Sequence, residues 1–339
     1  MEKNNRYILE VNNLKTSFFT HVGEVQAVRG MNFKLKRGDV LGIVGESGSG
    51  KSVTALSIMK LIDYPGRIKG GQIIFNGEDI TNFSDSKMSN IRGNDIAMIF
   101  QDPMTSLNHV FRIRDQMVEV IRRHQKLNKR EARQQAIKML ELVGIPEPEG
   151  RYKSYPHEFS GGMRQRVMIA TALSCNPQLL IADEPTTALD VTIQAQILDI
   201  MRDISEKLNT AIILITHDLG VIAETCKDLI VMYGGMPMEK GSVLDIFENP
   251  QHPYTVGLLK SVPRMNSKEK GRLKPIAGSP PDLLAPPLGC PFSPRCPHTM
   301  QICIEEAPGM FEAGKEHTSA CWLLHNHAPE VKGYRKEAL

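Results

Sequence analysis

"GESGSGKS" (Gly45–Ser52) matches a glycine, four intervening residues, then Gly-Lys-Ser. Before it stands the compact apolar run "DVLGIV" (Asp39–Val44), and after it "SVTALSIMKLI", whose apolar residues recur at helical spacing. The order is therefore buried strand, glycine turn, helix, the setting in which this pattern cradles phosphate. Gly45, Gly48 and Gly50 permit torsions and close approach that a Cβ would hinder, so successive N–H groups can point at phosphate oxygens. The helix start adds its positive end. Lys51 would neutralise the β and γ phosphates of a nucleotide, and the Ser52 hydroxyl would ligate Mg²⁺. The expected binding segment comprises Gly45, Ser47, Gly48, Ser49, Gly50, Lys51, Ser52 and Val53.

Working outward, "RYILEVNNLKTSF" and "VQAVRGMNFKL" alternate apolar and polar residues, as half-buried antiparallel strands do. "GGQIIFNG" and "IAMIF" read as two more strands. From Arg112 to Cys175 the pattern turns helical, with "IRDQMVEVIRRH" and "KREARQQAIKMLELVG" spacing apolar residues by three and four. "QLLIAD" and "AIILIT" are continuous apolar runs flanking the helix-like "VTIQAQILDIMRDISEKL", which predicts parallel strands covered on both faces. The expected fold class is α/β, a P-loop NTPase (RecA-like) core with an N-terminal antiparallel β subdomain, an α-helical insert at about 102–175 and a small proline- and cysteine-rich C-terminal extension. The expected boundaries are 6–249 for the nucleotide-binding domain and 250–330 for the extension, because prolines recur from Pro250 and "GSPPDLLAPPLG" reads as an extended loop.

The 339 residues carry 41 basic and 38 acidic side chains, a net charge of +3, too balanced to argue for nucleic acid. The opening "MEKNNRYILEVNN" lacks the apolar stretch of a secretory signal, and no apolar run approaches the roughly 20 residues of a membrane span. Thiols are therefore expected in a reducing cytosol.

"LLIADE" (Leu179–Glu184) ends a buried strand with adjacent carboxylates, an arrangement that costs free energy unless a cation or a reaction uses them. Asp183 would hold Mg²⁺, and Glu184 could polarise an attacking water. A solvated acidic loop is the plain alternative.

"FSGGMRQR" (Phe159–Arg166), upstream of the acidic strand, resembles the signature of ATP-binding cassette ATPases. Also in family order are Gln101 after "IAMIF", "TTALD" with Asp190, and His217 in "LITHD". The resemblance implies two cassettes packed head to tail, with ATP between the phosphate loop of one and the signature of the other. Ser160, Gly161 and Gly162 would contact the γ-phosphate bound to the partner. Glu184 would be the general base, His217 would hold the γ-phosphate and water in line, Gln101 would sense Mg²⁺ and water, and Asp190 would communicate across the dimer. Phe18, or else Phe19, would stack on adenine. Met163 departs from the glutamine common in the family.

"NPQHPYTVGLLKSVP" (Asn249–Pro263), "QDPMTSLN" (Gln101–Asn108) and the cysteine tail narrow the resemblance to the ATPases of dipeptide and oligopeptide importers. This implies a peripheral subunit on the cytoplasmic face of a bacterial or archaeal membrane. Its partners would be two permease subunits, a second ABC ATPase, which could be another copy or a different chain, and indirectly an external peptide-binding protein. No nucleic acid is expected. Nickel or sugar import and a soluble ATPase acting on DNA or ribosomes are the alternatives.

Four cysteines close the sequence: Cys290, five residues, Cys296, six residues, Cys303, then seventeen residues to Cys321. Four thiols suggest a four-sulfur metal site. Zinc sites usually include a pair two to four residues apart, which is missing, whereas iron–sulfur clusters accept varied spacing. The importer resemblance implies a [4Fe–4S] cluster, with Zn²⁺ as the alternative. The tail is expected to have little core, so that a metal would supply folding free energy. Cys175 and Cys226 read as packed thiols.

Overall fold

A computed structural model describes residues 6–101, 107–186, 190–261, 275–332 and 334. In chain order the elements are β1 (Tyr7–Thr20), β2 (Gly23–Lys36), β3 (Val40–Val44), α1 (Lys51–Ile58), β4 (Gly66–Phe75), β5 (Glu78–Asp79), α2 (Asp85–Ile91) and β6 (Ile96–Ile99). There follow α3 (Ile113–Gln125), α4 (Lys129–Leu142), α5 (Gly161–Leu173), β7 (Leu179–Asp183), α6 (Val191–Leu208), β8 (Ala211–Ile215), α7 (Leu219–Thr225), β9 (Asp228–Tyr233) and β10 (Met236–Ser242). The remainder comprises α8 (Val243–Glu248), α9 (Pro253–Lys260), α10 (Gln301–Glu305), β11 (Phe311–Gly314) and β12 (His317–Ser319). Among the described residues no helix is long and apolar enough to cross a membrane.

The chain forms two compact units, Met1–Glu10 with Lys34–Val40 and Ile74–Ile215, and Val11–Phe33 with Leu41–Ile73 and Thr216–Leu339. In the first unit β6, β7 and β8 are parallel, with Ile96 opposite Leu179 and Leu179 opposite Ala211. Every residue of β7 and β8 is buried, as their unbroken apolar sequences require. Helices α3, α4 and α5 pack on one another, and each buries apolar residues, among them Met117 and Ile121, Ala136 and Leu140, and Val167 and Leu173. This is the expected helical insert. Asn128 opens α4 with a reciprocal capping box to Glu131.

In the second unit β3 runs parallel to β9, and β9, β10, β12 and β11 continue as antiparallel neighbours. The compact units do not part at Asn249, where the sequence suggested a boundary. The tail's β12 pairs with β10, Glu239 opposite Ser319, so the extension shares the sheet that carries the phosphate loop. β10 escapes the alternation rule because its register shifts between Pro237 and Glu239 and a carboxylate sits in its interior. Glu239 is fully buried and accepts from Gln251 N–H (2.6 Å) and His252 N–H (3.0 Å), and pairs with His317 Nε2 at 2.8 Å. Nor does the tail lack a core. Phe292 is 2% exposed and lies edge-on to Tyr233 at 5.3 Å, with Tyr254 at the same centroid distance.

Candidate nucleotide-binding site

The phosphate loop lies in the second unit. Gly45 (φ 152°), Gly48 (φ 76°) and Gly50 (φ 98°) all adopt torsions that L residues avoid. A Cβ on Gly45 would collide with the Met232 carbonyl, and one on Gly50 with that of Ala27, whereas Gly48 faces open space. Two glycines are thus demanded by packing as well as torsion, and the third by torsion alone. Lys51 is buried at the first position of α1, and its Nζ donates to the carbonyls of Gly45 (2.9 Å) and Glu46 (3.0 Å). The Ser49 carbonyl accepts from Gly235 N–H, which ties the loop to the turn between β9 and β10. Ser47 is exposed, and Ser52 and Val53, half-buried, complete the first turn of α1.

Also in this unit, His217 is exposed two residues beyond β8, between the buried Thr216 and Asp218, which caps α7. Phe18 packs beside the Gly66 backbone, where an added Cβ would meet its ring at 2.6 Å. Phe19 lies under the Arg67 guanidinium at 4.1 Å. One face of Phe19 is thereby occupied, and both rings remain half-buried.

The first unit holds the acidic residues. Asp183 ends β7 at 4% exposure. Glu184 then turns into the left-handed region (φ 47°), with its N–H donating to Ile215 O at 2.8 Å. A non-glycine residue in that region is strained by about 1–3 kcal/mol and persists only where its surroundings fix it. Its Oε2 accepts from Gln101 Nε2 at 3.1 Å, so the expected general base and the expected sensor touch directly. Buried Gln165 of α5 donates to the carbonyl of Pro185, bracing the turn just past the acidic pair.

Ser160 caps α5, its Oγ accepting from Met163 N–H at 3.3 Å, and both Ser160 and Gly161 are exposed. The Met163 contact is a backbone one, so the departure from glutamine leaves the cap intact. A Cβ on Gly162 would meet Ile193 Cγ2 at 2.8 Å, and the same Ile193 donates its N–H to Asp190, the exposed cap of α6. The signature helix and the Asp190 helix therefore meet at a glycine. Asp102–Ser106 and Thr187–Leu189, parts of the expected "QDPMTSLN" and "TTALD" motifs, lie outside the described residues.

Cys290, Cys296, Cys303 and Cys321 line one pocket with His252, Phe292 and Trp322, and none forms a disulfide. Burial pushes the Cys290 thiol up to about 11 and the Cys321 thiol up to about 12, with the other thiols of the set adding to both. Among the described residues, however, no three His, Cys, Asp or Glu side chains converge as ligands of a single metal ion. The thiols of the expected metal centre thus share a pocket, and the metal itself is not shown.

A family profile described as "ABC transporter" matches residues 28–187, and one described as "Oligopeptide/dipeptide transporter, C-terminal region" matches residues 238–303. "Oligopeptide transport ATP-binding protein OppD" of Bacillus subtilis is 54% identical over 326 residues, covering 96% of this chain and 91% of that protein. The chain belongs to the ATP-binding cassette family, in its oligopeptide and dipeptide transport branch. "Dipeptide transport ATP-binding protein DppD" of the same organism is 53% identical, covering 95% of this chain and 96% of its own length. A cassette from Clostridium perfringens, "cbiO1 … Part of the ABC transporter complex cbiONQ", has a TM-score of 0.62 at 27% identity over 73% of this chain and 93% of its own. The "Dimeric Structure of MJ0796, a Bacterial ABC Transporter Cassette" has a TM-score of 0.62 at 24% identity over 69% of this chain and 98% of its own, which supports the cassette fold. As in the family pattern, the phosphate loop, signature and acidic strand end stand at the expected elements. The sequence reading did not single out Glu46, Tyr254 or Arg295, which the structure gathers beside the phosphate loop. Tyr254 was visible only as a letter of the importer motif "NPQHPYTVGLL".

Proposed function

We propose that this cassette is the ATP-hydrolysing subunit of an importer that couples ATP binding and hydrolysis to uptake of oligopeptides or dipeptides through partner permeases. The observation that carries the hydrolytic part is Glu184, held in a strained turn at the end of a buried strand and hydrogen-bonded to Gln101. Since Glu147 and Glu316 share that torsion, it is the carboxylate's place at the end of a buried strand and its bond to Gln101 that support the reading. Glu184 accepts the proton of the attacking water, Lys51 and the loop amides hold the phosphates, and His217 orients the γ-phosphate and the water. Ser52, Gln101 and buried Asp183 are the residues we assign to Mg²⁺, which would supply charge neutralisation at the phosphates when bound. Phe18 stacks on adenine.

The peptide assignment is supported by the two oligopeptide and dipeptide transport relatives and by the match of the C-terminal region. The subunit works at the cytoplasmic face of the membrane, against two permeases and a second cassette, with an external peptide-binding protein supplying cargo. In the tail, Cys290, Cys296, Cys303 and Cys321 would be the residues to hold a [4Fe–4S] cluster, or Zn²⁺ as the alternative. What supports this is a shared pocket and thiols whose burial disfavours the thiolate until positive charge compensates it. The test is purification of the native complex with its permeases, iron and zinc analysis, and transport assays with peptides of graded length. Co-purification with permeases and peptide-stimulated hydrolysis are expected. Stimulation by nickel or a sugar instead would reassign the cargo, and zinc in place of iron would remove the cluster.

A further inference from the structure

Arg295 stands between Cys290 and Cys296 in the tail, yet its guanidinium reaches the phosphate loop. Nη1 donates to Glu46 Oε2 at 2.8 Å and to the Tyr233 hydroxyl at 2.9 Å. Nε and Nη2 donate to the carbonyls of Ala277 (2.8 Å) and Ile276 (3.0 Å), so its donors are fixed in several directions. The Arg295 side chain is 5% exposed, and the Glu46 side chain 25%. A second tether acts on the backbone of the same loop residue: the Glu46 N–H donates to the hydroxyl of fully buried Tyr254 at 2.9 Å. Finally, the Glu46 carbonyl accepts from Lys51 Nζ at 3.0 Å. Glu46, the loop's second residue, is thus gripped at amide, carbonyl and carboxylate, and two of the three grips come from residues C-terminal to β10.

We propose that Arg295 and Tyr254 are positioning residues for the phosphate loop, acting through Glu46 to fix where the loop amides and Lys51 present themselves to the nucleotide phosphates. The proposal rests on the nucleotide-hydrolysis reading above and deepens it: the C-terminal extension helps build the ATP site. A loop whose glycines permit many torsions gains most from such external restraints, because each fixed contact removes freedom that binding would otherwise have to remove. If Arg295 only fastened the tail, its bonds to the Ile276 and Ala277 carbonyls would suffice. The two bonds that Nη1 donates, to Glu46 and to Tyr233, would then have no consequence for nucleotide.

Two mild variants separate these roles in the full chain. Glu46→Gln keeps shape and removes the charge that Arg295 holds; Tyr254→Phe keeps the ring and removes only the hydroxyl. Each is expected to raise the Kd for ATP by about tenfold, the value of one hydrogen bond to a charged or constrained group. The change should fall on KM rather than on kcat, because the loop binds ground state and transition state alike. Arg295→Gln combined with Glu46→Gln should weaken ATP no more than the more damaging of the two single changes, since both break the same link. Thermal midpoints measured alongside report any loss of fold. An unchanged Kd in both Glu46→Gln and Tyr254→Phe, or additive effects of Arg295→Gln and Glu46→Gln, would overturn the proposal. Failure of the unaltered chain to bind ATP would overturn the nucleotide reading itself, and with it this one.

Discussion

Glu184 unites three properties rarely found together: a left-handed backbone, a neighbour buried at the end of a β-strand, and a carboxylate hydrogen-bonded to a glutamine amide. The first is an expense with no structural return, since glycine or asparagine would occupy φ 47° more readily. The torsion alone does not mark a working carboxylate, because the exposed Glu147 (φ 48°) and Glu316 (φ 61°) share it, and what sets Glu184 apart is the buried strand end and the bond to Gln101. Replacing Glu184 by Gln keeps the hydrogen-bonding shape and removes the base, so ATP turnover in the assembled transporter should fall by about 10²–10⁴-fold while ATP binding survives. Phosphate-release kinetics beside equilibrium nucleotide titration measure the two separately; undiminished hydrolysis would take Glu184 out of the base role. This residue was legible beforehand because two acids closing an apolar run make an unusual pattern. Its torsion was not, because φ is set by the neighbouring backbone, here the N–H bond to Ile215. The glycines of the phosphate loop were legible for their torsions, but the collisions awaiting a Cβ at Gly45 and Gly50 come from β9 and β2, distant in sequence.

At the level of elements, periodicity revealed the strands and helices that bury one kind of residue, and failed where a polar group lies inside. β10 reads as "MPMEKGS", with a proline and two charges, yet it is interior to its sheet because Glu239 finds three partners, His317 on β12 and the N–H groups of Gln251 and His252 before α9. An unpaired carboxylate there would cost several kcal/mol, so the strand exists only together with the segments that satisfy it, namely Gln251–His252 and β12. The strand and the extension therefore depend on each other. Phe292 sits at the same junction, against Tyr233, Tyr254 and His252, and Phe292→Ala should cost about 3–5 kcal/mol in chemical denaturation. His252 adds a pH dependence. Its Nδ1 accepts from Tyr254 N–H at 3.0 Å, its ring bonds the Ala320 backbone, and burial holds its pKa down to about 3 from the usual 6.5. The unfolded chain therefore binds the extra proton, and stability is complete above about pH 6.5 and declines as pH falls toward 3. In urea titrations between pH 7 and 4, wild type should lose on the order of a few kcal/mol more than a His252→Gln variant. Parallel curves would show that His252 carries no proton linkage.

For the whole molecule, the exposed signature is the feature that a single chain does not account for. Ser160 and Gly161 are exposed, the serine Oγ accepts the Met163 N–H at 3.3 Å, a Cβ on Gly161 would meet open space, and Gly162 is kept small by Ile193. A helix start dressed this way suits an anion brought by another body, and on the proposed head-to-tail arrangement that anion is the γ-phosphate of a second cassette. That much could be argued from "FSGGMRQR" alone, because the motif's residue types are dictated by the anion. What could not be read is whether the second cassette is another copy, since no residue in the motif depends on its partner's identity. The division of labour has a consequence that separates binding from turnover. Ser160→Arg places a bulky cation at the helix start and leaves the phosphate loop untouched. The isolated variant chain should bind ATP with an affinity within about twofold of wild type. In the assembled transporter, turnover of the nucleotide facing that signature should fall by at least about tenfold, the loss of one phosphate contact made in the transition state. Equal losses of ATP affinity and turnover in the isolated chain would mean that Ser160 serves its own nucleotide, and the head-to-tail arrangement would have to be abandoned.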